Sequence, residues 1–114
     1  MQLVTIVLNK VEVLEDLLES FSDNGIYGAT ILESQGMAHA LSETSDMSFM
    51  FALRSVLNPT LSESRTIFLV AEDEDVKKIS RVTNEVTGGL DQPDTGILFA
   101  LPVTYTEGLM CDHD

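Results

Sequence analysis

The chain of 114 residues carries 6 basic and 19 acidic side chains, a net charge of −13. Such a field repels phosphate backbones and anionic membrane surfaces, which argues against nucleic acid as a partner. An apolar content of 44% suits one globular domain, residues 1–114, large enough for a real core, and no apolar run approaches the roughly 18 residues of a bilayer span.

Residues 3–8, Leu-Val-Thr-Ile-Val-Leu, form a short apolar run with β-branched members and are expected to be a buried strand. The N-terminus lacks a basic start and does not read as a signal peptide. Asn9 with Glu12 three residues on has the spacing of a capping box. Val11, Leu14, Leu18 and Phe21 then follow at helical spacing, with Leu17 beside them and Glu12, Glu15, Asp16 and Glu19 on the other faces. The helix should end near Asn24, because Gly25 accepts the left-handed conformation that closes a helix. A second strand is expected over 27–34, ending before Gly36.

Residues 37–64 break the pattern. They are rich in Ser, Thr, Asp and Asn but hold an apolar block, Met47, Phe49, Met50, Phe51, Leu53, Val56 and Leu57, spaced for a short helix ahead of Asn58-Pro59. A connection of this length in a small domain is usually functional or disordered. The block has two readings: it packs back on its own assembly, or it is a docking surface for a partner protein.

Residues 66–71 are a third strand. Glu72-Asp73-Glu74-Asp75 places carboxylates where a helix dipole favours them. Val76, Ile79, Val82 and Val86 make the apolar stripe of that second helix, which Thr87-Gly88-Gly89 ends. A loop through Asp91-Gln92-Pro93-Asp94-Thr95-Gly96 leads to a last strand over 97–103, whose Pro102 belongs at a sheet edge. Residues 104–114 form an acidic tail. It holds Cys111, the lone cysteine, so no disulfide can form within the chain, as expected of a protein in a reducing cytoplasm. The carboxylates beside it disfavour a thiolate.

The order β-α-β-β-α-β is that of an α+β, ferredoxin-like sandwich, with an antiparallel four-stranded sheet and two helices on one face. The strands are nearly continuous in apolar residues, which implies burial on both faces. One small protomer cannot cover the second face, so an oligomer is expected.

Residues 25–36 read Gly-Ile-Tyr-Gly-Ala-Thr-Ile-Leu-Glu-Ser-Gln-Gly, and residues 96–103 read Gly-Ile-Leu-Phe-Ala-Leu-Pro-Val. With Leu14-Glu15-Asp16-Leu17 and Thr87-Gly88 in the same order, they resemble the P-II nitrogen-regulatory proteins over residues 3–103. The chain would be a divergent member. The resemblance implies a homotrimer whose sheets face inward, with ligands bound between subunits. One cleft wall would be the start of the long T-loop, here Gly36, Met37 and Ala38, with His39 just beyond. The other would be the loop from Thr87, Gly88 and Gly89 to Asp94, Thr95 and Gly96, and Thr30 matches a threonine that contacts nucleotide in that family.

The resemblance implies an adenine nucleotide as the cofactor, but the cations that would hold it are missing. Ile97 stands where the family has a phosphate-binding lysine, and residues 104–108 replace basic positions, so charge-assisted bonds to polyphosphate are lost. Lys10 is the remaining cation expected near the cleft. The T-loop segment has no tyrosine to be nucleotidylated.

No Gly-x-Ser-x-Gly, Walker loop or Cys-x-x-Cys is present, and the chain does not read as an enzyme. Three functions are weighed. The first is a trimeric regulator that senses a small effector between subunits and signals to a partner protein through residues 37–64. The second is a non-sensing structural trimer with a degenerate ligand site. The third is a metal-binding trimer resembling the divalent-cation-tolerance proteins, with His39 joined by Glu33 or Glu43. One histidine is not a ligand set, so no metal ligand is assigned.

Overall fold

A computed structural model of the chain describes residues 1–37 and 63–109. The Ala38, His39 and apolar-block readings, most of the 37–64 segment and the end of the acidic tail lie outside them.

Strand β1, Gln2–Leu8, is followed by a 3-10 turn, Val11–Val13, and helix α1, Leu14–Asp23. Strands β2, Thr30–Ser34, and β3, Ser64–Ala71, come next. A second 3-10 turn, Asp73–Asp75, opens into helix α2, Val76–Thr87, and strand β4, Gly96–Pro102, closes the sheet. The strand order is β2-β3-β1-β4, and all three neighbouring pairs are antiparallel. This α+β arrangement is compatible with a ferredoxin-like fold.

Alternation along β1 explains the layering. Val4, Ile6 and Leu8 are fully buried and share one face with their register partners Leu69, Ile67 and Leu98. Leu17 and Phe21 from α1 and Ile79 and Val82 from α2 join the same cluster, so both helices cover that face. The other face holds Leu3, Thr5 and Val7 with partners Phe68, Val70, Phe99 and Leu101, and no described element covers it. Thr5 is nevertheless only 4% exposed, because it stands on the central strand between Phe68 and Phe99. Further out, Ile97 is 59% exposed, Leu101 52% and Leu32 48%. Among the described residues, the expectation of strands buried on both sides is therefore met on only one side.

Every register position on this helix-free face is apolar or carries a hydroxyl; the charged register positions, Glu33 and Arg65, pair with each other on the helix side. In a chain of charge −13 that segregation is notable, since charge is depleted at the centres of protein interfaces.

Several boundaries differ from expectation. The Asn9–Glu12 capping box does not form: Lys10 occupies the N-cap of the 3-10 turn without a side-chain capping bond, and the Asn9 amide instead donates to the Thr95 carbonyl at 2.9 Å. The first helix accordingly begins at Leu14, and its buried centre is Leu17 and Phe21 rather than the whole expected stripe. β2 starts three residues late, at Thr30, because Gly28 has φ +83° and breaks the extended run. β3 and β4 begin earlier than expected, at Ser64 and Gly96. The stop signals stand as expected: Asn24 caps α1 with Gly25 at φ +76°, and Gly88 caps α2 at φ +88°. Pro102 ends β4 on the edge of the sheet. No helix among the described residues is long and apolar enough to cross a membrane.

Candidate functional site

The loop from Thr87 to Gly96 is a self-bonded unit. Its first turn follows from the end of α2. The Thr87 hydroxyl donates to the Thr83 carbonyl at 2.8 Å, and the Gly88 amide donates to the Asn84 carbonyl at 3.1 Å. The Gly89 amide then donates to the Thr87 hydroxyl at 3.3 Å, the Leu90 amide to Asn84 Oδ1 at 2.8 Å, and the Gln92 amide to the Gly89 carbonyl at 3.1 Å. Asp94 adopts φ +63°, and buried Thr95 closes on the Pro93 carbonyl.

Both ends of the loop are pinned to the chain just after β1. Lys10 Nζ donates to the Thr87 carbonyl at 3.0 Å, placing a cation at the negative end of α2. The amides of Asn9 and Lys10 both donate to the Thr95 carbonyl, at 2.9 and 3.2 Å. Gly96 then enters the sheet so closely that a Cβ there would stand 2.5 Å from the Val7 carbonyl oxygen. Only glycine fits, and its φ of +148° is one that other residues avoid.

The electrostatics of the loop do not suit a polyanion. A phosphate cradle needs backbone N–H groups aimed outward. Here the amides of Gly88, Gly89, Leu90 and Gln92 donate inward and Pro93 has none. Of the remaining loop amides, two belong to aspartates, Asp91 and Asp94, whose carboxylates oppose a bound anion. Lys10 supplies one positive charge and has already spent one donor on Thr87.

The described members of the expected site do not converge within one protomer. Gly36 and Met37 follow β2, whereas Thr87, Gly88, Gly89, Asp94, Thr95 and Gly96 span from the last residue of α2 to the first of β4. The register runs Glu33 to Arg65 to Leu8 to Gly96, so both groups lie at the same end of the sheet. They stand at its opposite edges, three strand spacings or about 14 Å apart. Thr30 is the first residue of β2 and pairs with Phe68 on the helix-free face, at the other end of the β2–β3 ladder from Ser34 and well away from the loop.

The tie from Lys10 to Thr87 and the Asn84 side-chain bond to Leu90 are features that sequence reasoning missed. An asparagine four residues before a helix-ending glycine was the one available signal for the second. Met37 is exposed, in keeping with either a wall position or a simple connection. Among the described residues no three His, Cys, Asp or Glu side chains cluster as a metal site would require, and His39 lies outside them.

Comparison with protein-family models and with curated proteins found no match.

Proposed function

We propose that this protein is a P-II-like regulator that assembles as a homotrimer through the helix-free face of its sheet. In this reading a small effector binds in clefts between protomers, and residues 37–64 present the result to a partner protein. The observation that carries the reading is the separation of the two expected cleft walls to opposite edges at one end of the sheet. Such walls can meet only across a boundary between copies. The apolar, charge-free face that spans them is the surface on which copies would meet. Effector binding acts as a signal only through unequal affinity for two arrangements of the protein.

A second reading, the non-sensing trimer, draws on the inward-facing amides of the 88–95 loop and the carboxylates of Asp91 and Asp94. It differs from the first in having nothing to bind.

Native mass spectrometry of freshly purified protein tests both. A three-chain mass that retains a small molecule supports the sensor, and a bare three-chain mass that takes up neither ATP nor ADP with magnesium supports the structural module. A single-chain mass at micromolar concentration refutes both.

A further inference from the structure

We infer that Ser34, Ser64 and Thr66 form a hydroxyl latch that links coverage of the helix-free sheet face to the end of the β2–β3 ladder; the inference rests on the self-association proposed above. Ser34 and Ser64 are the last register pair of that ladder, and Thr66 is the next β3 position on the same face. Ser34 Oγ lies 2.7 Å from Ser64 Oγ and 2.8 Å from Thr66 Oγ1. The three hydroxyls thus join neighbouring strands where chain segment 35–63 leaves and rejoins the sheet.

Proton counting shows why the latch responds to its surroundings. Each hydroxyl carries one proton and two acceptor sites, so two bonds consume two of the three protons. The cluster keeps spare hydrogen-bonding capacity. Ser64 is nearly fully buried, whereas Ser34 and Thr66 are half-buried on a face whose neighbouring Leu32 is exposed. On a wet face, water competes for these groups. On a face covered by a second copy, that competition ends and the lower local dielectric strengthens the internal bonds. The β2–β3 ladder is then held at its end more firmly in the assembly than in the lone protomer. Assembly and the exit points of segment 35–63 become linked through three side chains.

Amide hydrogen exchange on the full chain, followed above and below the concentration at which copies associate, tests this. In the wild type, residues 33–34 and 64–66 should exchange about tenfold more slowly in the assembly than in the protomer, the scale of one to two hydrogen bonds. Ser34→Ala removes the shared member of the latch from an edge strand and should abolish most of that difference while the oligomer mass is unchanged. Thr66→Ser keeps the hydroxyl and should retain it. The latch is overturned if Ser34→Ala associates normally and still shows the full slowing. A wild type that stays monomeric at every concentration overturns the self-association reading, and the coupling with it.

Discussion

Ile97 is the most exposed apolar side chain on the helix-free face, at 59%. Its register partner is Val7, and it points away from the helices and the core they cover. Complete burial of such a side chain stabilises by about 1.5–3 kcal/mol, so covering its exposed part would contribute about 1–2 kcal/mol per copy. Phe99 at 43% and Leu101 at 52% lie on the same strand and raise the contribution of β4 to about 2–4.5 kcal/mol per copy. Ile97→Asp forfeits this and places a carboxylate in an apolar contact, a cost of several kcal/mol when it finds no partner. The same substitution is mild for the protomer, since Asp in an edge strand costs on the order of 1 kcal/mol. For the proposed trimer, the expected result is dissociation to single folded chains, seen as a threefold drop in mass by light scattering with an unchanged far-UV spectrum. Ile97→Val should preserve the oligomer. If Ile97→Asp leaves the mass unchanged, the helix-free face is not where copies meet, and the argument from its missing charges fails.

Gly96→Ala should be the most damaging glycine substitution, because its Cβ would meet backbone at 2.5 Å as well as an unfavourable φ; about 2–4 kcal/mol is expected in urea unfolding. Gly25→Ala, at φ +76° with nothing nearby, should show the torsional part alone, about 1 kcal/mol. Lys10→Met keeps the stem but loses the bond to the Thr87 carbonyl, and should lower stability by about 0.5–1.5 kcal/mol with faster amide exchange in the last turn of α2. The Met1 amino group, hydrogen-bonded to Asp73 at 3.1 Å, and then Gln2 hold the Asp73 carboxyl below its ordinary 3.8. A carboxylate depressed in this way contributes stability above its unfolded value and loses it as pH falls through its folded value. Asp73→Asn should therefore flatten the decline in unfolding midpoint below pH 3.8 and leave its pH dependence near neutrality unchanged.

Local chemistry determined much of this protein. Short apolar runs with β-branched members and stripes of period 3.6 placed four strands and two helices in order. Gly25 and Gly88 marked the helix ends because a left-handed residue is needed there whatever the surroundings. Where a distant segment competes, local signals lost. The capping box at Asn9 reads well in isolation, yet its amide is taken by Thr95 from the far end of the chain. Register decided the rest: it set Ser34 against Ser64, collected the charge-free positions on one face and sent the two expected cleft walls to opposite edges. None of this is visible along the chain, because a shift of one residue in pairing would exchange the two faces of every strand. Lys10 makes the same point, since its role as an anchor for α2 exists only once the loop at Thr87 has folded back beside β1.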